Sequence, residues 1–452
     1  MRTNLGPVWT RWILVIVAAF GLSLFTAACG GDDDDNGGGG GGGGGESFGG
    51  QAKTAASKCG LGNKKPATGE PIKIGAINTK QPGTDFSEIG RSAKAYFDCV
   101  NDNGGINGRP VQMILETEAT DPAQAAAAAK KLVETDKVAG LVGNSSIIEC
   151  AVNHKYYEAN DYYVIGAGIA PECYGTSNFA SVNMGPRHSV TGAAQYLIRQ
   201  DVDKMVLLQS KVPGTEYIEG GFLALAKQEG VDTESLAEPV PIQDANSVAL
   251  RIVQAAGQNG GVLLNFTPPE ALKILQAAAQ QGLEDRVKAW ACSTPCNTDF
   301  LAKALGGAFD GKLGVNAELN LISADEPDTN LYKEVLKQYG KGISLGSFSQ
   351  MGFLDARIAT EAMLGIKGDV NKESVNEALE GVKGFKTDLL CKPWYYGDGP
   401  LHIPNNTDRT VTPKGDTMVI KEDCFEVSDA DAPIKRVRDL EKKEGIYQPV
   451  GG

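Results

Sequence analysis

Residues 138–171, VAGLVGNSSIIECAVNHKYYEANDYYVIGAGIAP, constrain the fold more than any other stretch. Residues 138–142 are a short apolar run carrying Val138 and Val142, the pattern of a buried strand. Gly143, Asn144, Ser145 and Ser146 follow as a turn able to cap a helix. Ile148, Val152, Tyr156 and Ala159 then recur at helical spacing, Asn160 and Asp161 stop the helix, and residues 163–167 form a second apolar strand. This is a βαβ unit with small residues where each strand ends. In open α/β sheets a ligand binds just beyond those ends, and a helix N-terminus there offers free N–H groups and a positive dipole end.

The same alternation runs through the chain. Residues 71–77 read as a strand, and Ile89, Ala93, Tyr96, Phe97 and Val100 mark an amphipathic helix. NDNGGINGRP, residues 101–110, stops that helix and turns the chain. A strand at 111–116 and an alanine-rich helix at 122–134, capped by Asp121, precede the organising unit. After Pro186 the pattern restarts, with helices at 190–199, 217–230, 245–258 and 269–281 and strands at 204–209, 261–265, 287–291 and 313–317. Helices at 328–339, 348–365 and 372–382 follow. The tail from 385 is rich in Pro and Gly, with short strands such as 417–420. Strand and helix in alternation call for parallel sheets covered by helices on both faces, so the expected class is α/β with two doubly wound sheets.

The N-terminus carries a different signal. Arg2 and Arg11 precede an apolar run at 12–25 that meets Thr26, Ala27, Ala28 and Cys29, the layout of a secretory signal. The run is shorter than the roughly 20 residues of a membrane span. Cys29 after Ala27-Ala28 resembles the lipobox of bacterial lipoproteins, in which the Cys becomes the lipidated first residue; Thr26 stands where Leu is usual. Asp32 to Asp35 and a glycine run from Gly37 to Gly45 come next, a composition that stays a flexible tether. The net charge of −13, with no Lys/Arg cluster, disfavours nucleic acid and an anionic bilayer surface as partners.

Eight cysteines remain: Cys59, Cys99, Cys150, Cys173, Cys292, Cys296, Cys391 and Cys424. An even number in an exported chain implies disulfides. Sequence does not fix their connectivity, but pairing of neighbours is plausible for each couple. Cys150 and Cys173 sit at ends of the βαβ unit that share one edge, so a bridge there would brace the site, and Cys292 with Cys296 would close a loop. No CxxC pair occurs, and no metal or cofactor is expected.

IKIGAIN, a helix ending in NDNGGINGRPV, TDPAQAAAAAKKLV and VAGLVGNSS together resemble the type I periplasmic binding proteins, most closely the branched-chain-amino-acid-type substrate-binding proteins of ABC importers. The resemblance implies two α/β lobes joined by three crossovers with a ligand cleft between them, and lobe closure read by a membrane permease. The implied division is a signal at 1–28, a tether at 29–58, a first lobe from 59–188 and 318–385, and a second lobe from 189–317 and 386–452, the last stretch including a C-terminal tail.

In the amino-acid-binding relatives a Ser and a Thr of the first lobe hold the ligand carboxylate. The matching positions here are Ile147 and Ala170, so Ser145, Ser146 and the amides of Gly168, Ile169 and Ala170 are the candidates in their place, with helix capping the alternative for the two serines. The relatives hold the ligand ammonium with a second-lobe Glu. The matching loop, ACSTPCN at 291–297, has no acid, and a buried ammonium without a carboxylate is costly. A carboxylate or amide lacking an α-ammonium is therefore the expected ligand, with weak or no binding of leucine, isoleucine and valine. Tyr217, Phe266, Thr267 and Phe353 are the candidates for covering its body.

Two other functions fit parts of the sequence. A ligand sensor feeding a membrane receptor would have the same fold and cleft. A hydrolase would use Ser145 or Ser146 with His154, but Gly143 to Ile147 is no G-x-S-x-G elbow. His154 lies more than two helical turns along from either serine, and neither H-E-x-x-H nor a P-loop occurs.

Overall fold

The computed structural model describes residues 58–397, 399 and 401–450. The signal, Cys29 and nearly all of the tether lie outside the described residues.

The first lobe is built on β1 (Ile72–Gln81), β2 (Thr84–Asp85), β3 (Val111–Glu118), β4 (Gly140–Asn144), β5 (Val164–Gly166) and β6 (Phe179–Ser181). Strands β3 and β4 flank β1, and β5 and β6 follow β4, all parallel; β2 is a short antiparallel addition to the end of β1. The order therefore reverses beside β1, which is where such sheets open a crevice. One face is covered by α1 (Ser87–Asp102), the other by α2 (Pro122–Lys130) and α3 (Glu149–Ala159). Asp121 caps α2 by accepting from the N–H groups of Ala123 and Gln124.

The chain then enters the second lobe through α4 (Gly185–Arg199). That lobe holds β7 (Lys204–Ser210), β8 (Asp232–Glu238), β9 (Gly261–Asn265), β10 (Ala289–Cys292) and β11 (Leu313–Asn316), in the order β8-β7-β9-β10-β11 and all parallel. Helices α5 (Glu219–Glu229), α6 (Ala245–Ala256), α7 (Pro268–Gln280) and α8 (Asp299–Leu305) join α4 on its faces.

The return brings α9 (Pro327–Tyr339), α10 (Ser347–Leu364) and α11 (Lys372–Glu380) onto the first lobe. There Phe353 of α10 lies edge-on between Tyr96 and Tyr332, with ring centroids 5.0 and 5.5 Å apart. The tail divides. A small pair, β12 (Lys383–Phe385) with β13 (Trp394–Tyr395), and the side chains of Leu389, Trp394 and Tyr396 stay with the first-lobe core. The hairpin of β14 (Thr407–Lys414) and β15 (Thr417–Glu426) extends the second sheet antiparallel to β11. Ile434 and Val437 of α12 (Ala432–Glu444) pack against the α3 side of the first lobe. The reading from sequence gave residues 386–452 as the second part of the second lobe and a C-terminal tail; in the structure β14 and β15 join the second sheet.

Three crossovers thus join the lobes, after β6, after β11 and before β14. Asn405 ties them together: its Nδ2 donates to the carbonyls of Val182 (3.0 Å) and Glu318 (3.1 Å), one on each of the other two. Four disulfides close between sequence neighbours: Cys59–Cys99, Cys150–Cys173, Cys292–Cys296 and Cys391–Cys424. Among the described residues no helix is long and apolar enough to cross a membrane.

Candidate functional site

The carboxyl ends of both sheets face one cleft. From the first lobe come Phe86 and Ile89 around the start of α1, Ile147 after β4, Ala167 and Ile169 after β5, and Phe348 and Met351 of α10. The second lobe supplies Ser210 at the end of β7 with Val212 and Thr215 beyond it, Asn265 at the end of β9 with Phe266 and Thr267 beyond it, and Pro295 after β10. Pro186, Ser189 and Glu318 line the hinge end. The empty space between these residues is about 800 Å³ with the solvent at its open mouth included. Hydrocarbon dominates the wall, and among the described residues no Lys, Arg or His is part of it.

The lobes touch across this space. The Tyr217 hydroxyl donates to the Ile169 carbonyl, and the Thr267 hydroxyl to the Gly83 carbonyl at 3.4 Å. Gly83 has φ +78°, and a Cβ there would lie 2.9 Å from the Pro241 nitrogen of the second lobe, so only glycine allows this approach. The residue-169 loop is held from below, because Gly168 O accepts from the Tyr174 hydroxyl (2.7 Å) and Asn183 Nδ2 (2.9 Å). Tyr174 closes the short turn Pro171–Tyr174, which the Cys150–Cys173 bridge fastens to α3. On the other side, Arg187 donates to Tyr217 O (2.9 Å) and is gripped through two nitrogens by Asp431, both at 2.7 Å.

The candidates read from sequence separate into two groups. Ile169, Phe266 and Thr267 line the cleft, and Tyr217 bridges it. Gly168 and Ala170 flank Ile169 but are not part of the wall. Ser145 and Ser146 lie beneath it, fully buried. Ser145 Oγ donates to Phe86 O and accepts from Asn78 Nδ2. Ser146 Oγ donates to Glu118 Oε1 and accepts from the N–H groups of Ile148 and Glu149 as α3 begins. The geometry of Ser146 is that of a helix-start acceptor, and both hydroxyls are engaged within the protein. Phe353 is in the first-lobe core; the aromatics that line the cleft here are Phe348 of α10 and Phe86 just before α1, edge-on at 5.2 Å. His154 Nδ1 donates to Cys150 O, within its own helix.

Sequence reasoning missed Glu318. The loop after β10 has no acid, as read, but a carboxyl reaches the cleft from the second crossover. Glu318 is 2 % exposed, and its Oε2 accepts from the Met184 N–H at 2.6 Å. Burial pushes its pKa up to about 8, against the lowering effect of the Met184 amide and the Thr294 hydroxyl. Beside it runs a polar seam in which Ser189 donates to Thr294 (2.9 Å) and Asn316 donates to both. Its one sequence sign is position, two residues beyond the end of β11. Among the described residues no group of His, Cys, Asp and Glu is arranged to hold a metal.

Two doubly wound lobes, three crossovers and a cleft walled by both sets of strand ends define a type I periplasmic binding fold. Residues 71–410 match the model of a family described as periplasmic binding protein, and the chain belongs to that family. A search of curated proteins returns no match. Solved structures share the fold at low identity. A branched-chain amino acid ABC transporter structure from Thermus thermophilus, with bound valine, aligns at TM-score 0.69 and 17% identity over 82% of this chain and 100% of that one. A fatty acid ABC transporter substrate-binding protein from Thermomonospora curvata aligns at 0.67 and 18%, over 86% and 97%. A solute-binding protein from R. palustris in complex with benzoate aligns at 0.63 and 17%, over 78% and 96%.

Proposed function

We propose that this chain is the extracytoplasmic solute-binding lipoprotein of an ABC importer, capturing one small organic molecule between its lobes and presenting the closed form to a permease. The observation that carries the reading is the cleft itself. Its wall is drawn from the strand ends of both lobes, so a ligand that fills it bonds the lobes to each other, and closure becomes a signal of occupancy. The family, and structural neighbours solved with valine or benzoate or named for fatty acid transport, support a small-molecule cargo with a substantial apolar body. The signal at 1–28, lipidation at Cys29 and the tether at 29–58 would keep the binding body at the membrane while leaving it mobile; several acyl chains at about 0.8 kcal/mol per buried CH₂ make a firm anchor. Fractionation of cells expressing the full chain tests the anchor: the wild type should sediment with membranes and Cys29→Ala should not. Equal sedimentation of both would remove the lipoprotein part of the proposal.

A further inference from the structure

The cleft has an unusual balance of chemistry. Its wall is largely hydrocarbon, and among the described residues that line it there is no cationic side chain and Glu318 at the hinge end is the one acid; Arg91, Asp85, Glu88 and Glu270 lie in the adjoining hollow at the mouth. The positions that match the carboxylate-binding Ser and Thr of the amino-acid-binding relatives, Ile147 and Ala170, carry no hydroxyl, and beyond β4 and β5 the cleft is lined by Ile147, Ala167 and Ile169. A carboxylate ligand would lose its hydration against Phe86, Phe348 and Met351 with no counter-charge, and would be repelled by Glu318 wherever that group is ionised. The charged and titratable groups around Glu318 do not change that sign. Asp408 on β14 is another buried acid, itself raised in part by the Glu318 charge, and Tyr174 is a buried phenol. Arg187, the cation on the neighbouring helix α4, is already gripped by Asp431.

Resting on the cleft as the ligand site, we infer that Glu318 reads the polar end of the ligand and that the ligand is an organic amine, a single ammonium on an apolar body without an α-carboxylate. The ammonium donates to the Glu318 carboxylate at the hinge, where the Met184 amide already stabilises the charged form. The aromatic and branched side chains of both lobes cover the rest. This site differs from the expected arrangement in two ways: the acid comes from the crossover rather than from the loop after β10, and no carboxylate subsite accompanies it.

The inference has a proton signature. Without ligand the buried Glu318 keeps its proton up to about pH 8. An ammonium binds the ionised form, so below that pH each binding event releases a proton. Affinity for an amine therefore strengthens as pH rises from 6 to 8, by up to about tenfold per pH unit. A carboxylate held by a protonated Glu318 would bind with the same strength from pH 6 to about 8 and weaken only above that.

Calorimetry on the purified chain without its signal, with phenethylamine, phenylacetamide and phenylacetate as matched probes, tests this. Phenethylamine should bind tightest, strengthen at least tenfold between pH 6 and 8, and release a proton when titrated in buffers of different ionisation enthalpy. Glu318→Gln, which keeps the acceptor for Met184, should weaken it at least tenfold at pH 8 and abolish the slope. Preferred binding of phenylacetate, binding of phenethylamine without a pH slope, or no binding of phenethylamine would each overturn the amine assignment. If phenylacetate or the amide binds and Ser210→Trp in the cleft wall blocks it, the cleft stands as the ligand site and only the role of Glu318 falls.

Discussion

Glu149 is a carboxyl kept out of water on the first lobe, where burial pushes its pKa up to about 8 although the Tyr157 hydroxyl and Asn144 Nδ2 both donate to it at 2.5 Å. Glu318 stands at a similar value for the same reason. A folded pKa above the unfolded one means the native state holds the proton more tightly. The stability from these groups is therefore complete below about pH 4.5 and is lost as pH climbs through about 8. Each contributes a slope of at most about 1.4 kcal/mol per pH unit. The urea midpoint of the ligand-free protein should fall between pH 6 and 8.5, and Glu149→Gln should flatten part of that fall; a profile that rises over this range would contradict the burial argument. Ser146 gives a second test. Its hydroxyl serves Glu118 and the start of α3, so Ser146→Ala should cost about 1 kcal/mol of stability and shift affinity for a cleft ligand less than twofold. A tenfold loss of affinity would restore it as a ligand contact.

At the level of elements, the loop that carries Ile169 is held by a covalent brace. Cys150 and Cys173 are 23 residues apart, and closing a loop of that size in the unfolded chain contributes about 3 kcal/mol. A non-reduced digest should yield the Cys150–Cys173 peptide, and Cys150→Ser/Cys173→Ser should lower stability by about that amount; recovery of Cys150 as a free thiol from oxidised protein would remove the brace. The opposite bank depends on α12. Burial alone would push the Asp431 carboxyl up, but Arg187 and His188 hold it down at about 2. Asp431→Asn should therefore destabilise by about 3 kcal/mol and free Tyr217 from the arrangement that lets it bridge to Ile169. Unchanged stability would show that α12 is a bystander. Much of this level is legible in the sequence, because helices such as α9 and α10 have apolar faces and strands such as β9 are continuous apolar runs. Strand β8, DTESLAE, escapes because it is an edge strand whose residues are half-buried or exposed, so burial leaves no period-two stripe to read. Strand β6 escapes because it has only three residues.

For the whole molecule, the repeated βα pattern and the short motifs expose the two-lobed fold, while the cleft wall stays hidden. Phe86 meets Phe348, and Met184 meets Glu318, only after the chain has crossed between lobes and returned; periodicity carries no information about such partners. The central claim is that a small molecule binds between the lobes and stabilises their closure. The direct measurement is a thermal-shift survey of amines, amides, carboxylates and amino acids on the wild type and on Ser210→Trp, which fills the cleft from the second lobe. A ligand at 100 times its Kd adds about 2.7 kcal/mol to the wild type. The account predicts that at least one class raises the wild-type Tm and that Ser210→Trp abolishes the rise; a rise equally large in Ser210→Trp, or none with any class, would contradict it.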